Sequence, residues 1–422
     1  MAVAQTLAQK LIAAACGKPA VEVGEIVTCN VDLAMFHDSS GPRRLKPMLE
    51  ALGAPLWDKS KIVLVMDHYV PEADDESRRI VRIARDWASA QQLPNVYDSV
   101  GICHVVLPER GHLRPGMLCV GGDSHSPTGG AFGAYMFGVG STEMLGVVVS
   151  GQIWVKVPQT LRMSWHGRLA RGVTAKDMML HMIGRFGMNG GRYQAVEFCG
   201  DAVTALSMQE RMTLSNMSAE LGAQAGLIAP DDTTVAYLRG VGVSADIDVG
   251  RWQGDPGARA ETHEFDAATL APQVAAPHSP ANTRDVAQFD GVRVQVAYIG
   301  ACTGAKLDDL RAAASVLRGR RVADGVQLVV APASLRDAEQ AEREGVMAAL
   351  RDAGAQMLAT SCGACAGYGG SIPEGSTVIS STARNFKGRM GAASADVYLG
   401  SPYTVAASAL TGRIADAREV LA

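Results

Sequence analysis

Apolar runs that stop at a chemically useful residue constrain this chain more than any other feature. "VLVMDHYVPE" stops at Asp67 and His68, "CVGGDSHSPTGG" at Asp123, Ser124 and His125, and "VAYIGACTG" at Cys302. A short run that is apolar at successive positions suits a strand buried on both faces, and such strands belong to parallel sheets covered by helices. In open sheets of this kind the loops beyond the carboxyl ends of the strands form the ligand crevice, so acids, imidazoles and thiols placed there converge on one site. "VGICHVVLPERG", read the same way, adds His104 at the end of an apolar strand. Each residue taken singly has a plainer reading as a helix cap or a satisfied core group, and for a lone residue that reading prevails. The recurrence favours a site.

Strand-like runs such as "KIVLVMDH" and "GMLCVGG" alternate with helical stretches such as "DESRRIVRIARDWASAQ" over residues 1–157, which predicts a doubly wound α/β domain. Residues 158–283 change texture. Their Met- and Ala-rich helices, "TAKDMMLHMIGRFG" and "MQERMTLSNMSAELGAQAG", form a second α/β domain in which the methionines read as core filler. It ends in an Ala/Pro-rich run, "ATLAPQVAAPHSPANTRDVAQF", which lacks a helical period and is expected to be a linker. A third α/β unit over residues 284–422 carries the strands "VRVQVAYIG", "VQLVVAP" and "STVIS". A chain of 422 residues is long enough for two or three such cores.

A net charge of −4 leaves no basic footprint for nucleic acid and no polybasic membrane signal, so the partner is expected to be a small molecule. The N-terminal "MAVAQTLAQKLIAAACGK" reads as an amphipathic helix, not a signal peptide, and no apolar stretch approaches the roughly 20 residues that span a bilayer. Eight cysteines in a chain of this length are too sparse for a disulfide framework. Thiolate ligands need a reducing compartment, and the expected location is the cytoplasm.

Cys302 follows a strand, and Cys362 and Cys365 form a Cys-x-x-Cys in the glycine-rich "TSCGACAGYGG". Spacing alone is compatible with a redox pair, half of a zinc site or two small core residues. It is also compatible with an iron–sulfur cluster one protein ligand short, whose open iron would be a catalytic position. The glycines of "GGAFGAYMFGVG" match neither a P-loop nor a dinucleotide fingerprint. They are expected to let backbone pack closely around a cluster and a small anion.

These motifs, in this order, resemble the large subunits of the aconitase superfamily, which includes 3-isopropylmalate dehydratase, homoaconitase and 2,3-dimethylmalate dehydratase. The resemblance begins at "EIVTCNVDLAMFHDSSGPRRL", runs through "MDHYVP", "GICHVVLPERG", "GGDSHSPTGGAFGAYMFGVGSTEM", "SNMSAELGAQAGLIAPDD", "IGACTGAKLDDLRAAA", "SCGACAGYGG" and "STARNFKGRMG", and closes with "GSPYTVAASALTGRIADARE". It implies three α/β/α domains around a central cluster cleft. It implies that Cys302, Cys362 and Cys365 hold a [4Fe–4S] cluster whose fourth iron lacks a protein thiolate. The reaction implied is the dehydration and rehydration of a malate-type 2-hydroxy acid: 3-isopropylmalate, homocitrate or dimethylmalate.

Carried over residue by residue, the resemblance makes Arg384 and Arg389 substrate-carboxylate contacts, a task for which a guanidinium fork suits better than an ammonium. It adds His37, Asp38, Ser124 and Asn216 to the substrate contacts and Glu220 as an acid near the open iron, with Arg43 and Arg44 less firmly matched. Expelling hydroxide calls for an acid, for which His104 or the Asp67–His68 pair are expected, while Asp123 and His125 set tautomers and hold bound water. The arginines are expected to stabilise the charge that develops on the carboxylate. The base is implied to be a Ser on a small swivelling subunit, which makes a heteromer.

Two amides of the family pattern are absent. Gly304 and Ala305 stand where Asn-Ser is usual after Cys-Thr, and Ala383 stands where an Asn precedes the first loop arginine. Amides near a metal orient ligands, so these departures leave open a changed substrate or metal state. They also leave open a mononuclear-metal hydrolase or lyase on the same scaffold.

Overall fold

The structure is a computed structural model that describes residues 4–368 and 372–421. Gly369 and Gly370, the end of the second cysteine motif, lie outside the described residues.

The first sheet is fully parallel and has five strands, in the spatial order Asn95–Asp98, Ile62–Met66, Leu33–His37, Leu118–Gly121 and Tyr135–Gly138. The chain starts at the central strand, builds to one side, then returns to build the other. The crevice between Leu33–His37 and Leu118–Gly121 is therefore the point where the winding reverses, the place where such sheets bind ligands. The central strand Leu33–His37 is buried along its whole length, and so is Ile62–Met66, as a sheet covered on both faces requires. Helix Asp75–Gln91 covers part of it, opened by Asp74, whose side chain accepts from Ser77 N–H in a capping box.

The second sheet is also parallel, in the order Ala225–Ile228, Ala195–Cys199, Thr160–His166 and Glu261–Asp266. Its helix Ala175–Phe186 buries Met178, Met179 and Met182, so the methionines are core. The stretch expected as one long helix from Met208 stops at Met217, and a tight turn follows with Gly222 in the left-handed region at φ 80°. That early stop puts Asn216 in the last helical turn and Glu220 in the turn beyond it.

The third sheet has seven strands, ordered Thr283–Asp285, Gln273–Ala275, Asp396–Leu399, Thr377–Ser380, Val296–Ile299, Gln327–Val330 and Gln356–Met357. Its first two strands come from the Ala/Pro-rich run expected to be a linker. They pair antiparallel, and Gln273–Ala275 also pairs antiparallel with the strand carrying Leu399. Their backbone is satisfied by tertiary partners that local sequence does not reveal: Asp177 Oδ1 accepts from Gln273 N–H at 2.8 Å, and Asn385 Nδ2 donates to Ala276 O at 2.8 Å.

The glycine run also differs from its expectation. Residues Ser126–Phe132 form a 3₁₀ turn, and a side chain on Gly130 would strike the carbonyl of Gly226 in the second sheet. These glycines mainly let the first and second sheets approach each other. Of the run, Gly140 lines the crevice, as does Gly122 ahead of it.

Candidate active site

Each strand end contributes a different part. Leu33–His37 delivers His37 to the rim, and Asp38 lies immediately beneath. Asp38 is fully buried and its oxygens accept from the backbone N–H groups of His68 at 3.2 Å, Tyr69 at 2.8 Å and Ser39 at 3.0 Å. It therefore shapes the loop after Ile62–Met66. That loop carries Asp67 and His68, joined through Oδ1 and Nδ1 at 2.6 Å, and the His68 ring stacks on His37 with centroids 3.8 Å apart. Burial works against a charged His68, but the Asp67 carboxylate outweighs it and pushes the imidazole up to about 10.

His104 does not end a strand. Cys103–Glu109 is a short helix, and His104 sits in its first turn. Asp67 fixes that helix, since its Oδ2 accepts from the Cys103 N–H at 2.7 Å, supplying a partner for a donor that a helix start leaves free. His104 Nε2 meets Asp123 Oδ1 at 2.7 Å, and the same oxygen accepts from His125 N–H at 2.7 Å. Burial keeps His104 below the usual imidazole range despite Asp123. Asp123 is held well below the carboxylate range, His104 and its other donors overcoming burial.

His125 Nε2 reaches Glu220 Oε1 at 2.9 Å, where Arg384 Nε also donates at 2.6 Å. The loop after Thr377–Ser380 supplies Arg384 and Arg389. With His37, His68, Asp123 and Ser124, the two arginines line a cavity of about 380 Å³. Ser39, Ser40, Arg44, Ser141 and Tyr368 add to its wall. Of these, the motif reading marked only Arg44.

The three cysteines are free and buried, at 7%, 9% and 4% exposure for Cys302, Cys362 and Cys365. Two of them sit where another motif anchors them. Asn216 Nδ2 donates to Cys302 Sγ at 3.2 Å, and Cys362 N–H donates to Asp67 O at 2.8 Å. A hydrogen bond from Cys362 lowers Cys365 to about 6, with Arg389, His125 and Arg384 assisting, while burial holds Cys302 up at about 12. One thiol is thus readily ionised beside cationic groups, the environment of a metal ligand.

The thiols suit a cluster better than a single ion. Among the described residues, the groups whose ligand atoms lie within 4.8 Å of one another are His37–Asp38–Asp67–His68 and His104–Asp123–His125, and neither includes a cysteine. Three thiols with no imidazole or carboxylate among them are the donor set of an iron–sulfur cluster. Asn216 Oδ1, Glu220 Oε2 and Arg389 Nε are also buried without a hydrogen-bond partner. Native interiors rarely leave such atoms unpaired, so three of them here mark polar contacts that a bound group would complete.

Gly304 has a local explanation. A side chain there would strike Ser381, whose Oγ donates to Gly304 O at 3.2 Å and accepts from Gly300 N–H at 2.9 Å. This packing has no room for the amide of the family pattern.

The fold and site define an α/β enzyme in which His–Asp pairs and two arginines stand at one crevice, with three buried thiols close by. The profile of the Aconitase family (aconitate hydratase) matches residues 9–291 and 284–412. The chain is 41% identical over 420 residues, 99% of its length and 100% of the relative's, to 3-isopropylmalate dehydratase large subunit 1 of Methanopyrus kandleri. It is 40% identical over 420 residues to the 3-isopropylmalate dehydratase large subunit of Moorella thermoacetica, covering 99% of each. Among solved structures it resembles aconitase X of Thermococcus kodakaraensis, with a TM-score of 0.51 at 13% identity over 85% of this chain and 84% of that one, a likeness of fold. The chain belongs to the aconitase family and is a hydro-lyase of that family, whose members carry a [4Fe–4S] cluster. Among the described residues no helix is long and apolar enough to cross a membrane.

Proposed function

We propose that this chain is the large subunit of a dehydratase that isomerises a 3-isopropylmalate-type 2-hydroxy diacid, with Cys302, Cys362 and Cys365 holding a cluster that has one iron free of protein thiolate. The observation that carries this reading is the convergence of Arg384, Arg389 and the His–Asp pairs on one cavity beside three buried thiols. When bound, the cluster supplies Lewis acidity toward a hydroxyl oxygen.

The chain's own residues do the remaining work. Arg389, with Nε unpaired, and Arg384 grip the substrate carboxylates, and Arg44 on the facing wall contributes positive charge. Ser124 and His37 orient the substrate from the rim. His68, kept protonated by Asp67, is placed to give a proton at Nε2 to a departing hydroxyl, and Asp123 holds His104 at Nε2 in a neutral tautomer that accepts or returns one. Asp38 positions the His68 loop, and Asn216 steadies Cys302. Glu220 fixes His125 and Arg384 together.

A base for the carbon-bound proton comes from a small subunit as a Ser side chain, which agrees with the printed names of the relatives as large subunits. A reducing cytoplasm suits the thiolate ligands. The departures at Gly304, Ala305 and Ala383 alter the surroundings of the cluster and leave all three thiols in place.

The test is to purify the chain anaerobically, count iron and acid-labile sulfide, and assay it with and without the small subunit on 3-isopropylmalate, homocitrate, dimethylmalate and citrate. Brown protein that turns over 3-isopropylmalate only with the subunit is the expected result. Colourless protein with one metal per chain would replace the reading with a mononuclear hydrolase or lyase, and full turnover by the chain alone would remove the partner.

A further inference from the structure

Tyr298 lies in strand Val296–Ile299, four residues before Cys302, and neither anion binding nor proton transfer uses it. It is 1% exposed, and its hydroxyl makes no hydrogen bond. A buried O–H without an acceptor is costly, a cost that phenylalanine would avoid at the same position.

The direction of the side chain is fixed by its neighbours. A Cβ built on Gly300 would strike Tyr298 Oη and the adjoining ring carbons. The ring therefore runs forward along the strand over Gly300, and its hydroxyl points to the turn that carries Cys302. Tyr298 belongs to an apolar cluster with Val329, Ala331, Ile372, Val378 and Met390, whose side chains offer no oxygen or nitrogen acceptor. The ionisable groups that bear on the hydroxyl are Cys365 and Cys362. The unpaired hydroxyl thus lies against Gly300, at the turn that leads to Cys302.

We propose that Tyr298 Oη donates a hydrogen bond to sulfur of the iron–sulfur cluster, either the thiolate of Cys365 or Cys362 or an inorganic sulfide beside them. The inference rests on the cluster reading above. Hydrogen bonds to cluster sulfurs favour the more negatively charged, reduced state, and so set the potential and the readiness of the cluster to be oxidised.

The experiment compares wild-type protein with Tyr298→Phe, both anaerobically reconstituted, by iron and sulfide content, EPR-monitored redox titration and resonance Raman spectra in H2O and D2O. Equal cluster content, a lower potential in Tyr298→Phe, and loss of a deuterium-sensitive iron–sulfur stretch are the expected results. Protein containing 3-fluorotyrosine, a stronger donor of nearly the same shape, should shift the potential the opposite way, and it keeps the test open if Tyr298→Phe does not load. Equal potentials in loaded proteins, with or without a change in thermal stability, overturn this inference alone. Wild-type protein without acid-labile sulfide overturns it together with the cluster reading.

Discussion

Arg384 donates from Nε to Glu220 Oε1 at 2.6 Å, across the junction between the third sheet and the second. The same oxygen serves His125, and Glu220 is fully buried. One carboxylate therefore holds both the Arg384 guanidinium and the His125 imidazole, and His125 and Arg384 keep it below its ordinary range against burial. Glu220→Gln should cost about 1–3 kcal/mol of stability by removing a charged acceptor, and should lower kcat/KM by about 100-fold or more. Urea unfolding and steady-state kinetics of the reconstituted enzyme check the two effects separately.

The two loop arginines should fail differently. Arg389 Nε has no protein partner, so Arg389→Lys should leave the unfolding midpoint where it is and raise KM about tenfold or more through loss of the fork. Arg384→Lys also loses the Glu220 contact, and should lower both stability and kcat. Equal unfolding midpoints for the two variants would contradict this division.

Cysteine replacement should separate ligands from packing. Cys302→Ser, Cys362→Ser and Cys365→Ser should each lose iron and sulfide, whereas serine at Cys16, Cys29, Cys119 or Cys199 should not. Cys103 is the informative control. It is fully buried beside His104, and its backbone N–H holds Asp67, a contact that serine preserves. Full iron and sulfide in Cys362→Ser would refute the ligand assignment.

Gly304→Asn restores the family amide but meets Ser381. Overpacking of this kind costs about 1–3 kcal/mol, and displacement of Ser381 would release Gly300 N–H. A lower melting temperature with reduced cluster retention is expected. An undisturbed melt with full loading would show that the turn relaxes freely.

Stability should fall as pH rises through neutrality. Glu109 accepts from Ser334 Oγ at 2.5 Å, and burial, with the Asp337 carboxylate nearby, raises it from 4.5 to about 7. Between those values the folded chain holds a proton that the unfolded chain has released. The stabilisation is therefore complete below the unfolded value and is lost as pH rises through the folded one. Glu109→Gln should match the parent at pH 4 and exceed it by about 1 kcal/mol at pH 8, after a discount for partial exposure. Urea midpoints at the two pH values decide it.

The sequence by itself determined the strands and which residues stand at their ends, because a strand buried on both faces must be apolar at every position and a polar residue must end it. "KIVLVMDH", "GMLCVGG" and "STVIS" all form strands that pair parallel with their neighbours, and Asp67, His68, Asp123 and Arg384 stand just beyond them. Other features depended on contacts far apart in the chain. His104 lies in the first turn of a helix instead of ending a strand because Asp67, 36 positions before Cys103, satisfies a helix-start donor, a contact that local sequence does not show. The supposed linker became two strands because Leu399, Asp177 and Asn385 supply its hydrogen bonds. Asp38 lies beneath the cavity because three backbone N–H groups claim it, and the hydroxyl of Tyr298 is left unpaired because the fold lays the ring over Gly300. Periodicity reports how each segment meets a core, whereas a hydrogen-bond partner is chosen by three-dimensional proximity, which only tertiary structure provides.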